Sequence, residues 1–222
     1  MKAIAISVLE LFGTDGTTDV TPAAVLSYTD IQNHLKLDGT ADQSLVESLI
    51  SAATKRVEQF IGRKLVSQHW SIYFDCFPRA QSNDFWDGMQ DGHVASLAGP
   101  GQSMDLPFGP CQTVSWVRGY DQTDGTVAVD ASNYSVDTFG PFGRIKLKVG
   151  GQWPSATLRP VNGVHVRGVF GFGSASVIPH DIKHAIKITV ANLYEKRGDN
   201  DSGSAIPVGA QTLLETYRLW KL

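Results

Sequence analysis

Apolar residues repeat along this chain with two different periods, and the first period is that of a helix. The stretch "SYTD" at 27–30 has the Ser or Thr followed by an acid that starts many helices. From Leu45 to Ile61 the apolar residues recur at three- and four-residue spacing, and Gly62 follows as a natural stop. These patterns predict a short helix followed by a long one.

A third helix is predicted near the other end of the chain. Pro179 stands where a helix can begin. The backbone N–H that a proline lacks would have no hydrogen-bond partner in the first turn of a helix, so a proline costs nothing there. An apolar stripe of helical period runs from Ile182 to Leu193, and Gly198 ends it. Because each helix has one apolar face, the helices from both chain ends are expected to pack together.

The middle of the chain changes to a period of two, which is typical of strands. The N-terminal "MKAIAISVLELFG" also favours a strand, and "DQTDGT" is a hairpin signal. The other predicted strands are "VSQHWSIYFD", "MDLPF", "QTVSWVRGY", "GTVAVD", "YSVDTF", "RIKLKVG" and "GVHVRGVFGFG".

These elements predict an α+β fold. A small helical bundle comes from both chain ends, an antiparallel β-sandwich or barrel is inserted into it, and a tethered helical tail ends the chain. The expected parts are an N-terminal strand and helical part (1–65), an inserted β domain (66–176), a third helix (177–198), and a flexible tether with a docking tail (199–222).

A long irregular stretch, residues 78–103, interrupts the β domain. Loops of this length in compact domains are usually functional or disordered, and Phe85, Trp86 and Met89 argue against simple disorder. We expect these three residues to contact a neighbouring subunit or another protein, with a simple covering of the β domain as the alternative.

The chain's last segment is apolar, and it follows a wholly polar stretch, "EKRGDNDSGS". A short amphipathic segment is barely helical alone, so it needs a groove. The expected anchors are Leu213, Leu214, Tyr217 and Trp220, which dock on a partner. The alternative is that the tail folds back on its own domain.

Composition narrows the function classes. The 222 residues carry a net charge of −3, which gives no electrostatic reason for tight nucleic-acid binding. Cys76 and Cys111 have no CxxC spacing and are expected to be free thiols. No apolar run approaches membrane-spanning length, and we expect no membrane association.

Candidate chemistry is sparse, and we expect no cofactor. His180 and His184 share a helix face, but the zinc-protease motif and a third ligand are missing. Acid pairs such as Asp121 with Asp124, or Asp199 with Asp201, fall in stretches where solvated loop charges are the default. No G-x-S-x-G motif occurs.

Four motifs in order resemble the phage head–tail connector (adaptor) family, over roughly residues 22 to 218. They are "IQNHLKLDG", "EQFIGRKL", "VIPHDIKHAIKITVANLYEKRG" and the closing "IPVGAQTLLETYR". The stretches "NDFWDGMQDG" and "MDLPFGPCQTVSWV" look like the longer branch of the family, which bears a β-domain and includes gene transfer agent adaptors.

The resemblance implies a non-enzymatic structural virion protein, assembled in the host bacterial cytoplasm. Family members form a ring, usually of twelve copies, beneath the portal protein. The ring extends the DNA channel and gives a platform to a head-completion (stopper) or tail protein, while DNA passes without sequence-specific contact. It also implies that the tail, with Pro207, Leu213, Leu214, Tyr217 and Trp220, docks on the portal.

Two other readings stay open. The β domain is alternatively a glycan- or receptor-binding module in which Phe85 and Trp86 stack on the ligand. Less favoured is a metal hydrolase that uses His180 and His184.

Overall fold

The computed structural model describes the backbone of residues 6–12 and the residues 23–78, 103–196 and 206–219. They form two compact units. The helical unit comprises residues 23–67, 171–196 and 206–219, and the β unit comprises the other described residues. No helix in these ranges is both long and apolar enough to cross a membrane.

Four helices form the helical unit: α1 (Tyr28–Leu35), α2 (Gln43–Ile61), α3 (His180–Glu195) and α4 (Val208–Glu215). The predicted start of α1 is confirmed by a capping box, in which Ser27 Oγ accepts the Asp30 N–H while the Asp30 carboxylate accepts the Ser27 N–H. At the end of α2, Gly62 adopts φ 68°, a left-handed conformation that favours glycine.

A single apolar core holds the helical unit together. Each helix contributes one stripe, as its sequence period predicts: Ile31 from α1, Val57 from α2, Ile186 from α3 and Leu214 from α4 are all fully buried. The helical unit is therefore built from two stretches of the chain, one before and one after the β-rich stretch that lies between α2 and α3.

Eight strands form the β unit: β1 (Ile6–Phe12), β2 (Gln68–Phe74), β3 (Met104–Asp105), β4 (Cys111–Tyr120), β5 (Thr126–Ala128), β6 (Tyr134–Asp137), β7 (Arg144–Leu147) and β8 (Val164–Phe170). Their pairing is antiparallel, in a five-stranded sheet of order β1-β2-β8-β4-β5 and a three-stranded sheet of order β3-β7-β6.

The two sheets share one apolar core. Ile72 and Val166 reach it from the larger sheet, and Met104 and Ile145 reach it from the smaller one; all four are fully buried. Among the described strands the sheets stay open rather than closing into a barrel, so the sandwich alternative of the predicted α+β fold is the one observed.

The N-terminal strand corrects one expected boundary. The sequence predicted the N-terminal strand but grouped it with the helices in one part, residues 1–65, whereas β1 forms the edge of the five-stranded sheet, with Ile6 opposite Phe74 and Phe12 opposite His69. A strand needs a neighbouring strand for its backbone hydrogen bonds, and that neighbour is β2, which lies far along the chain.

Several of the predicted strands end earlier than expected. Strand β6 stops at Asp137, because the Asp137 carboxylate accepts the N–H of Phe139 and turns the chain before Gly140 and Pro141. Strands β3 in "MDLPF", which ends before its proline, β5 in "GTVAVD" and β7 in "RIKLKVG" are also shorter than predicted.

Candidate functional site

The C-terminal segment, residues 206–219, packs into the core of the helical unit. Its main apolar positions repeat every four residues: Ile206 is buried, and Ala210 and Leu214 have no exposed surface. Leu213 is partly buried against the same core. Helix α4 lies against α2 and α3, so its apolar face already has a partner within its own unit.

Backbone hydrogen bonds continue this attachment beyond α4. The N–H of Leu219 donates to the carbonyl of Ile61 at 2.8 Å, and Arg63 Nε donates to the carbonyl of Tyr217 at 2.8 Å. The Arg218 guanidinium lies 4.8 Å from the centre of the Phe60 ring. The end of α2 is therefore capped by the C-terminal segment.

Tyr217 ties the segment to the start of α3. Its hydroxyl donates to Asp181 Oδ2 at 3.1 Å. Desolvation raises the pKa of Tyr217, and the neighbouring Asp181 carboxylate adds to that shift. The proton thus stays on the phenol, where it serves the hydrogen bond.

The structure therefore changes the picture of a tail hanging free on a tether. Residues 206–219 fold back on their own unit, which is the alternative to docking on a partner. Burying the Leu214 side chain in the core of that unit is more favourable than leaving it in water. Pro207 is the N-cap of α4. Trp220 and the tether at 197–205 lie outside the described residues, and docking on a partner stays a prediction.

His180 and His184 lie exposed at the start of α3, beside a cleft of about 680 Å³. The His34 ring of α1 is 6.0 Å from that of His184. Hydrogen bonds from Ser27, with smaller contributions from the lysines of α3, lower the pKa of Asp30 in this cleft. Within the described ranges, no three His, Cys, Asp or Glu side chains lie close enough together to hold a metal ion.

A buried histidine that the sequence did not single out as a site lies in the five-stranded sheet. The His165 ring stacks on Tyr73 at 4.1 Å and meets the Trp116 ring edge-on at 4.5 Å. Its Nδ1 is 3.2 Å from the Tyr120 hydroxyl, while its Nε2 is buried without a partner. Burial, followed by the charge of nearby arginines such as Arg118, lowers the pKa of His165 to about 4, so the ring is neutral near pH 7.

The acid pair at the β4–β5 hairpin, Asp121 and Asp124, forms hydrogen bonds that stabilise the surrounding turn. Asp121 Oδ1 accepts hydrogen bonds from the Thr123 hydroxyl at 2.7 Å and from the N–H groups of Gly125 and Thr123, each at 2.8 Å, and these bonds lower the pKa of Asp121. Asp124 accepts a hydrogen bond from Arg159 at 2.8 Å. These two carboxylates shape a turn. The other pair, Asp199 and Asp201, lies outside the described residues.

The turn between β6 and β7 presents an aromatic side chain to solvent. In this turn, residues 138–143 and hereafter the Phe139 turn, the Phe139 side chain is 100% exposed. The base of the turn is held firmly: Arg144 pairs with Asp137, and the Gly143 carbonyl accepts the Leu106 N–H at 2.8 Å. Gly143 packs so closely that an added Cβ would lie 2.6 Å from Cβ of Cys111.

A second apolar feature of the β unit is a pocket of about 610 Å³, hereafter the Trp153 pocket. The rings of Phe77 and Trp153 stack at 4.7 Å along it. Further apolar lining comes from Pro78, Pro154, Leu158 and Pro160. Neither this pocket nor the Phe139 turn was predicted from the sequence; "TFGPFGR" indicates a turn but not that its first Phe faces solvent.

Both cysteines are free, as predicted. Cys76 is exposed and lines the Trp153 pocket. Cys111 is buried, and burial raises the pKa of its thiol to about 11, which keeps it unreactive. The predicted contact residues Phe85, Trp86 and Met89 lie outside the described residues.

Residues 27–114 match the family described as "Phage gp6-like head-tail connector protein". This match confirms the resemblance to phage head–tail connectors, whose role is structural. No curated protein matches the chain.

Solved chains share its fold. One is a chain of the "Neck of empty GTA particle computed with C6 symmetry", with 22% identity, a TM-score of 0.70 and 97% of each chain covered. A chain of the "Virion of native gene transfer agent (GTA) particle" has 22% identity and a TM-score of 0.68, covering 92% of this chain and 94% of the other. A third, from the "Neck of native GTA particle computed with C12 symmetry", has 23% identity and a TM-score of 0.65, covering 92% and 96%.

Proposed function

Proceeding from the similarity to phage gp6-like head-tail connector proteins, we propose that this protein forms a ring beneath the portal of a virion. The ring extends the DNA channel and is the platform for a head-completion or tail protein, and it assembles in the cytoplasm of a host bacterium. The observation that carries this proposal is the agreement of the family match over 27–114 with a fold shared over 97% of the chain with a neck component.

Twelve copies are the proposed ring size. The related necks were computed with C6 and with C12 symmetry, and a ring of twelve satisfies both. A cyclic ring needs a contact between two different surfaces of the same chain, repeated head to tail.

The C-terminal segment is the proposed portal contact. Ala210 and Leu214 hold α4 on its own unit, so in this proposal the helix stays in place when the portal binds. The portal then meets the outer side of the segment: Val208, which is 75% exposed, the partly buried Leu213 and Tyr217, and Trp220 beyond them. Pro207 fixes where this helix begins. Repetition around a ring strengthens a weak single contact.

The stretch that carries Phe85, Trp86 and Met89 is the proposed contact with a neighbouring subunit or with another neck protein. Aromatic residues and Met are enriched in the buried centre of protein interfaces. DNA is proposed to pass as non-specific cargo, since the net charge of −3 gives the protein little attraction for its phosphates.

The experiment combines the purified protein with the portal protein of the same virion, followed by native mass spectrometry and negative-stain imaging. We expect rings attached to the portal. Subunits that remain monomers and never join the portal would contradict the proposal.

Two variants test the portal contact without touching the core. Removing residues 220–222 together with Val208→Asp should abolish attachment. Val208→Asp alone should change the melting temperature by only about 2 °C, because Val208 is 75% exposed and surface changes cost little. The matched control is Val177→Asp, which alters a valine that is 62% exposed and lies outside α4; it should attach normally. Normal attachment of the α4 variant would place the portal contact elsewhere.

A further inference from the structure

The Phe139 turn holds a large apolar side chain out in water at a fixed position. Exposed single apolar residues are common, but this one is fully exposed on a turn whose base is braced by the Asp137–Arg144 ion pair and by the packing of Gly143. A braced turn loses little conformational freedom on binding, which favours a role in recognition. Aromatic side chains of this kind anchor many interfaces.

The Trp153 pocket has the chemistry that would receive such a side chain. Its stacked Phe77 and Trp153 rings and its prolines offer an apolar surface, and about 610 Å³ is ample for one benzyl group. Val161 follows the last lining residue, Pro160, and is 60% exposed, so apolar surface continues beyond the lining residues.

The turn and the pocket lie at opposite ends of the β6–β7 hairpin. At one end Asp137 pairs with Arg144, and the Phe139 turn follows directly. At the other end Tyr134 pairs with Leu147, and the Tyr134 ring lies 6.3 Å from that of Trp153. The two ends are separated by roughly 10 Å of strand, from three steps of about 3.4 Å each. Phe139 therefore does not reach its own chain's pocket.

We propose that the Phe139 turn of one copy of this chain inserts into the Trp153 pocket of the next copy. The two surfaces differ and lie at opposite ends of one hairpin, so the contact is head to tail and can repeat indefinitely. It closes into a ring when the rotation between copies divides a full turn. The inference rests on the proposed ring and names the surfaces that would join its β units.

A disulfide trap tests the contact, because Cys76 already lines the pocket and is exposed. In a Thr138→Cys variant, which keeps the neighbouring Phe139 ring, mild oxidation should link the introduced thiol to Cys76 of the neighbouring copy and give a ladder of oligomers on a non-reducing gel. Adding Cys76→Ser should remove the ladder. Val177→Cys is the matched control, an exposed valine of the helical unit that should give none.

The outcomes separate the contact from the ring. A Cys76-dependent ladder of open chains would support the contact and refute the closed ring. Rings of the unmodified protein, with no ladder from Thr138→Cys, would leave the ring intact and overturn the contact. A ladder that persists after Cys76→Ser would also overturn it, because the introduced thiols would then meet each other.

Self-association provides a second measurement that needs no disulfide. By sedimentation velocity, Phe139→Ser should weaken self-association at least tenfold, and Ala156→Lys, which puts a charge on the pocket lining, should do the same. Phe139→Trp should retain most of it. Unchanged association in both Phe139→Ser and Ala156→Lys would overturn the proposal.

Discussion

The C-terminal segment and the Phe139 turn both carry large apolar side chains, but those side chains differ in their exposure to solvent. In the C-terminal segment, Leu214 is wholly buried in the core of its own unit. In the Phe139 turn, the aromatic side chain is wholly exposed. The segment that looked free in the sequence is packed, and the residue that looked like part of a strand faces solvent.

The difference shows what an apolar pattern specifies. Helical spacing in "IPVGAQTLLETYR" states that one side needs an apolar partner, but the partner can be the same chain or another one. Here the carbonyl of Ile61 and the side chain of Arg63 supply hydrogen bonds that keep the segment on its own unit. The Phe139 turn is held just as firmly at its base, yet nothing in the described β unit covers its ring.

The largest expected effect comes from Leu214→Ala. Removing a fully buried leucine leaves a cavity, so the helical unit should lose about 3 kcal/mol of unfolding free energy. Urea unfolding followed by circular dichroism at 222 nm measures it, because the described helices all lie in that unit.

Leu213→Ala is the matched control in the same helix. Leu213 is only partly buried, so its truncation should cost about 1 kcal/mol. Equal and negligible effects of the two substitutions would mean that the segment is not packed in solution, and the contrast with the Phe139 turn would disappear.

The second prediction concerns His165, a buried residue of the β unit that contrasts with the exposed Phe139. The pKa of His165 is lowered to about 4 from an ordinary 6.5, so between these values the unfolded chain binds a proton that the folded chain does not. Stability due to His165 is therefore complete above pH 6.5 and is lost as the pH falls toward 4. We expect a loss of about 1–2 kcal/mol, given about 1.4 kcal/mol for each pKa unit and some screening of the neighbouring arginines.

The measurement is urea unfolding at pH 7.5 and pH 4.5, followed by tryptophan fluorescence, to which Trp70, Trp116 and Trp153 of the β unit contribute. His165→Gln should show a smaller loss between the two pH values than the unaltered protein. His184→Gln, which changes an exposed histidine, should keep the full loss. An identical pH dependence in His165→Gln would show that His165 is not buried as described.

Local signals were enough for most of the elements. The capping box at Ser27, the glycine after α2 and the apolar stripes fixed the helices to within a few residues, because each signal lies within one or two turns. The α+β class followed from their order along the chain. The place of β1 did not follow, since its pairing with β2 joins residues about sixty positions apart.

The candidate sites depend on tertiary contacts more than the helices and strands do, so less of each site could be predicted from the sequence. The four motifs were sufficient to identify the resemblance to head–tail connectors, whereas no motif marked His165, whose surroundings come from β2, β4 and β8. The Trp153 pocket likewise joins residues 75–78 to residues 153–160. Such sites exist only after strands distant in sequence come together.

The smallest expected effect on stability is that of Phe139→Ser. The Phe139 ring is already in water, so its removal takes no apolar area out of the core, and the unfolding free energy of the β unit should change by no more than about 0.5 kcal/mol. Urea unfolding at a protein concentration too low for self-association measures this. A loss above about 1 kcal/mol would mean that Phe139 packs within its own chain. The turn would then resemble the C-terminal segment, because the apolar side chains of both would pack within their own chain.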